Sequence, residues 1–194
     1  MDLIVMRHGH AEAIARRDEE RRLTTRGREN VASVVRALER LGARPTLIVA
    51  SPLERAQQTA AIAAKVFTPP PPIVTDASLV PEGHVDHVIS ALPEEEACVL
   101  IVSHMPLVGE LLGRLVCASS TATIPLSTSG AVWLEISRPA SLDGRLRAAM
   151  SPRPARAIAQ HLGDGSIEHG QACSEHRDIA QDGIAQDGIP QDDD

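Results

Sequence analysis

Leu3-Ile4-Val5-Met6-Arg7-His8-Gly9, residues 3 to 9, is the stretch on which the reading of the fold turns: four apolar residues that stop at an arginine, a histidine and a glycine. A short apolar run without alternation predicts a strand buried on both faces, and the polar tripeptide marks where it leaves the sheet. Two further runs share this shape, Thr46 to Ala50 and Cys98 to Val102, each followed by polar residues. Ala131 to Ile136 alternates more and predicts an edge or antiparallel strand. Between the first two strands, Val31, Val34, Val35, Leu38 and Leu41 recur at helical spacing within Gly27 to Leu41, with Gly42 and Pro45 as the stop. Ser51-Pro52-Leu53-Glu54 has the form of a capping box, with Ser51 at the N-cap, and predicts a helix through Lys65 that carries Arg55 in its first turn. Pro69 to Pro72 forbids regular structure, Gly83 to Leu92 predicts a short helix, and Pro106 opens another through Val116. The order β-α-β-α-α-β-α-β predicts a three-layer α/β fold.

The chain has 194 residues and 43% hydrophobic content, which suits one core plus a tail. One Trp, one Phe and no Tyr leave no stacking platform for bases, so nucleic-acid binding is not expected. Of the net charge of −7, the segment 164 to 194 holds nine Asp/Glu against Arg177 alone, and the rest is nearly balanced. Within that segment Ile-Ala-Gln-Asp-Gly repeats at 179 to 183 and 184 to 188, too short and polar for a packed unit, and it reads as an acidic disordered tail. Residues 138 to 163 read as a poorly defined extension with one weak helix over Ala155 to Leu162. Cys98, Cys117 and Cys173 form neither a disulfide framework nor a thiolate zinc pattern. Lacking a signal-peptide core or an 18-residue apolar run, the chain is expected in the cytoplasm and off the membrane; a monomer is the expected state.

Chemistry gathers at the strand ends, where open α/β sheets bind ligands. Arg7 supplies a planar cationic fork, His8 a ring nitrogen able to act as a nucleophile, Arg55 a second fork at a helix start, and His104 a second imidazole. An isolated Arg-His-Gly tripeptide reads better as a solvated surface pair, and none of the three strand ends alone identifies a site. Together, two arginines and two histidines on consecutive strand ends imply a pocket for a tetrahedral anion. Ser51, Pro52 and Glu54 read as structural. A metal site built from His8, His10, His84, His87 and His104 is the competing use, disfavoured because two arginines beside His8 would repel a cation and no acid completes His84-x-x-His87. Neither a metal nor an organic cofactor is expected, and His10, His84, His87, His161, His169 and His176 read as surface histidines.

Taken with Leu23-Thr24-Thr25-Arg26-Gly27, Ser51-Pro52-Leu53-Glu54-Arg55-Ala56 plus Gln58-Thr59, and Ser103-His104-Met105-Pro106, the Arg7-His8-Gly9 tripeptide resembles the histidine phosphatase superfamily, in particular its short SixA-type phosphohistidine phosphatases, over residues 1 to 137. The resemblance implies a phosphoglycerate-mutase-like α/β/α sandwich with a mostly parallel central sheet. It implies a phosphorylated His8, phosphoryl-binding Arg7, Arg55 and His104, and Glu82 as a candidate general acid. His10 stands where SixA-type chains often carry an acid, Ala11 where mutases carry Asn, and Met105 where Asn is frequent; Ala11 argues against a mutase. The implied substrate is phosphohistidine on a partner protein. The alternative is a small phosphomonoester, and a phosphate-binding module without turnover is disfavoured because binding alone needs no nucleophile.

Overall fold

The computed structural model describes residues 1–93, 97–138 and 141–161. Asp2–Arg7 forms β1, whose apolar side chains divide between two cores, Ile4 and Met6 entering one and Leu3 and Val5 the other. That double burial is why the run shows no alternation. With β2 (Leu47–Ala50), β3 (Ile73–Thr75), β4 (Cys98–Ser103), β5 (Ala131–Glu135) and β6 (Arg145–Met150) it makes one sheet in the order β3-β2-β4-β1-β5-β6. The pairs β3/β2, β2/β4 and β4/β1 are parallel, while β1/β5 and β5/β6 are antiparallel. The mostly parallel sheet is therefore finished by an antiparallel hairpin.

Five helices cover the sheet: α1 (Thr25–Arg40), α2 (Glu54–Val66), α3 (Val85–Ala91), α4 (Leu107–Cys117) and α5 (Pro152–His161). Residues of α1, α2 and α5 share one core and residues of α3 and α4 the other, which is the expected α/β/α sandwich. α1 starts where Thr24 accepts the Gly27 amide on its hydroxyl at 3.0 Å. It buries Val31, Val34, Val35 and Leu38 completely or nearly so, each worth about 1.5–3 kcal/mol of transfer free energy. It ends at Gly42, whose φ of +95° lets Ala43 return its amide to the Leu38 carbonyl at 3.0 Å.

Three elements depart from expectation. β3 is three exposed residues directly after the proline run, and backbone pairing with β2 rather than burial defines it. The extension expected over 138 to 163 carries an edge strand and a helix, so the sheet does not stop at residue 137. β6 reads Arg-Leu-Arg-Ala-Ala-Met and is largely solvated, held by its ladder with β5 and by Arg147 between Asp2 (3.4 Å), Glu135 (3.3 Å) and the Trp133 ring (5.5 Å). α5 starts at Pro152, three residues before the helix expected there, and docks on α1 through fully buried Ala155 and a 2.6 Å bond from Arg156 to Asn30. The acidic repeat of 164 to 194 lies outside the described residues. Among the described residues no helix is long and apolar enough to cross a membrane.

Candidate active site

Because β1 and β4 run parallel with Arg7 opposite Ser103, the residues after them leave the same edge side by side. The His8 and His104 rings stand 4.8 Å apart, tilted by 49°. β2 pairs with β4 on its other side, and Ser51 donates its amide to the Val102 carbonyl at 3.0 Å, which sets the start of α2 and Arg55 beside the two rings. Parallel pairing thus turns three separate strand ends into one site.

The tautomer of His8 is set by its backbone. Nδ1 lies 2.7 Å from the Gly9 carbonyl, which can only accept, so Nδ1 carries the proton and Nε2 the lone pair. Burial pushes the His8 pKa down to about 4; the Gly9 hydrogen bond opposes that shift, and the charges of Arg55, Arg7 and Arg21 add to it. The ring is neutral near pH 7. His104 is pushed down to about 3, chiefly by burial, then by His8 and Arg55.

The cations are held from several sides. Arg55 is 4% exposed and gives one N–H of Nη1 to the Asp18 carbonyl (2.8 Å) and one of Nη2 to the Asp18 carboxylate (2.9 Å). Three of its five N–H groups are left over. Arg21 also grips Asp18, at 2.9 Å, and these bonds hold the Asp18 carboxyl below its usual range against a smaller opposing effect of desolvation. Arg7 donates to the Leu126 carbonyl at 2.7 Å. Arg7 Nε and His104 Nδ1 are buried with no partner among the described residues, at a cost of about 1–3 kcal/mol each that an anion's oxygens would offset.

The loop after β1 is fixed by contacts with the polar residues around it. Gly9 donates its amide to Thr59 Oγ1 at 3.0 Å, and Thr59 donates to the Arg55 carbonyl at 2.7 Å, tying His8's neighbour to the first turn of α2. Gln58 Oε1 accepts the Leu23 amide at 2.8 Å, and Thr24 donates its amide to the His10 carbonyl at 3.0 Å. A Cβ on Gly27 would lie 2.1 Å from that carbonyl, so only glycine lets α1 approach this closely.

The fold thus brings Arg7, His8, Arg55 and His104 to one place. Ser51 differs from its expected role. α2 begins at Glu54 with Leu53 as N-cap, and the Ser51 hydroxyl sits 2.8 Å from His104 Nε2. A serine that would cap a helix and one that orients an imidazole look the same in sequence. Asp18 and Arg21 carry no signal of their own, since a short block of acids between arginines gives no sign of a partner 37 residues away. Glu82 is exposed and makes no hydrogen bond or ion pair among the described residues. His84 and His87 pack edge to face at 5.5 Å, and no group of three His, Cys, Asp or Glu able to hold a metal occurs among the described residues.

The depressed His8 and His104 values have a signed consequence. An unfolded histidine takes its proton near pH 6.5, whereas these rings in the fold do so only near about 4 and 3. Stability linked to them is full above pH 6.5 and is lost as pH falls through the folded values. In phosphate-free buffer, ¹⁵N-detected ring shifts of His8 should stay those of a neutral Nδ1–H imidazole from pH 7 to pH 5. A His8 ring that titrates near 6.5 would contradict this account.

Residues 3–80 match the sequence profile of the histidine phosphatase superfamily, branch 1. Phosphohistidine phosphatase SixA of Escherichia coli K12 is 32% identical over 156 residues, covering 78% of this chain and 94% of that relative. A SixA homolog of Haemophilus influenzae is also 32% identical, over 133 residues, covering 59% of this chain and 77% of that relative. The solved structure of protein histidine phosphatase SixA complexed with tungstate superposes with a TM-score of 0.72 at 29% identity, covering 78% of this chain and 97% of that one. The alpha-ribazole phosphatase of Shigella flexneri shares the fold, with a TM-score of 0.64 at 20% identity and 78% of this chain covered against 97% of that one.

Proposed function

Because the chain belongs to the histidine phosphatase superfamily, we propose that it removes the phosphoryl group from phosphohistidine on a partner protein, with His8 as the covalent nucleophile. The observation that carries this reading is the state of His8: neutral, with Nδ1 held by the Gly9 carbonyl and Nε2 left with its lone pair among Arg7, Arg55 and His104. Nε2 attacks phosphorus in line, the P–N bond to the substrate imidazole breaks, and that imidazole takes the electron pair and leaves neutral, keeping the proton its other nitrogen carried before attack. Water then attacks the phosphorylated His8, releasing inorganic phosphate and restoring the ring. Arg7 and Arg55 neutralise the charge on the non-bridging oxygens in both steps, and neutral His104 donates a hydrogen bond to them from Nδ1; each such donor is worth about 2.7–4 kcal/mol in the transition state.

Ser51 and Asp18 are positioning residues in this reading, one holding the His104 ring and the other the Arg55 fork. The substrate class rests on the E. coli relative, named a phosphohistidine phosphatase and similar across nearly its whole length. The tungstate complex of a SixA protein, an oxyanion bound by a structural relative, supports an anion site. Hydrolysis of a phosphorylated histidine protein measured beside a panel of phosphomonoesters tests the class: a kcat/KM higher for esters than for the phosphohistidine protein would overturn it.

Glu82 separates the same two classes through the leaving group. Imidazole leaves readily once protonated, whereas an alkoxide must be protonated as it departs, a step to which a positioned acid contributes about 10²–10⁴ in rate. Glu82→Gln should lower phosphoramidate hydrolysis by no more than a few-fold, because Glu82 is solvated and bonded to nothing that would place it. A loss of about two orders of magnitude on the phosphoramidate would contradict the leaving-group argument.

A further inference from the structure

Next to the His8 site lies a second concavity of about 460 Å³, lined by Arg26, Arg153, Arg156, His10, Asn30 and Thr128 among others. Its wall holds three guanidiniums and no carboxylate. Arg26 comes from the first turn of α1, and Arg153 and Arg156 from the start of α5, more than a hundred residues later, so the docking of α5 on α1 creates the cluster. Arg156 is fixed there by its 2.6 Å bond to buried Asn30, and none of the three arginines pairs with a carboxylate among the described residues. Like charges brought together on one wall repel, so the cluster gains nothing for the fold from its charge. An anionic ligand removes that repulsion.

The groove is lined by chain neighbours of the catalytic residues. His10 is two residues from His8, a span of at most about 7 Å along the chain. Thr128 precedes Ser129, which donates its amide to the His8 carbonyl at 3.0 Å. The groove is therefore within reach of residues that flank a phosphohistidine whose phosphoryl group faces His8. Forks on two separate helices suit several carboxylates spread along a chain, whereas a single second phosphate would draw them to one point. We infer that the Arg26, Arg153 and Arg156 groove binds acidic side chains flanking the phosphohistidine of the partner protein, an inference that rests on the phosphohistidine reading above.

The test compares two phosphohistidine peptides that differ only in flanking residues, Asp/Glu in one and Ser/Asn in the other, with free phosphoramidate as the third substrate. The full chain should show a KM about tenfold lower for the acidic peptide, a gap that shrinks as salt rises. Arg26→Glu with Arg153→Glu should raise the acidic peptide's KM to that of the neutral one while leaving its kcat, and phosphoramidate turnover, within about two-fold. Both side chains are exposed, so the fold should survive, and an unchanged melting temperature together with the milder Arg26→Ala, Arg153→Ala pair controls for it. Equal KM values for the two peptides, or a variant that loses phosphoramidate turnover in parallel, would overturn the groove assignment alone. Turnover of phosphoesters with none of either peptide or of phosphoramidate would overturn the phosphohistidine reading, and the groove's occupant with it.

Discussion

Replacing His8 with alanine is expected to lower kcat by at least about 10³-fold on every phosphorylated substrate, because the covalent route has no second entrance. His104 is not expected to take over as nucleophile: with its Nε2 accepting the Ser51 hydroxyl, Nδ1 carries the proton and the ring has no free lone pair. The fold should persist. His8 sits just past the end of β1, and its amide and carbonyl bonds to Ser103 and Ser129 belong to the backbone and survive the substitution. The lost side-chain contacts are the bond to the Gly9 carbonyl, worth about 0.5–1.5 kcal/mol, and the ring contact with His104. Circular dichroism and thermal melting should therefore show a folded, slightly less stable protein, and substantial residual turnover would remove His8 from the role of nucleophile.

Arg55→Ala should cost about 10²–10³ in kcat, the size expected for one preorganised cationic donor facing the charge that develops at phosphorus. Its structural cost is smaller. Asp18 loses a partner but is 60% exposed at its side chain and keeps Arg21 at 2.9 Å, so water and Arg21 solvate it. Arg55→Lys should recover only part of the rate, because an ammonium cannot at once donate to the Asp18 carbonyl and carboxylate and still face a phosphoryl oxygen with a planar fork. Steady-state rates for the two variants check this. An Arg55→Lys enzyme as active as the unsubstituted protein would show that charge alone is needed there.

The central strands and flanking helices could be read from sequence because their residues are buried by periodic, local rules. β1 and β4 are apolar between their ends since both faces are covered, and α1 shows its buried stripe directly. β6 and α5 escaped that logic. β6 is an edge strand with one neighbour and mostly solvated side chains, and α5 rests on the core through Ala155 and partly buried Ile158, two apolar contacts in an Arg- and Pro-rich stretch. The same division holds in the site. Arg7, His8, Arg55 and His104 were legible because each stands where a buried run breaks. Asp18 on Arg55 and Ser51 on His104 were not, because each contact joins residues 37 or 53 positions apart and depends on how loops fold over the sheet.

The covalent role of His8 is tested most directly by trapping the enzyme during turnover. Rapid denaturation in base after mixing with a ³²P-labelled phosphohistidine protein should leave label on the chain that survives alkali and is released by acid, as a phosphoramidate is. Peptide mapping should place it on His8. Label on another residue, label with the acid stability of a phosphoester, or full turnover with no trapped label under single-turnover conditions would contradict the account.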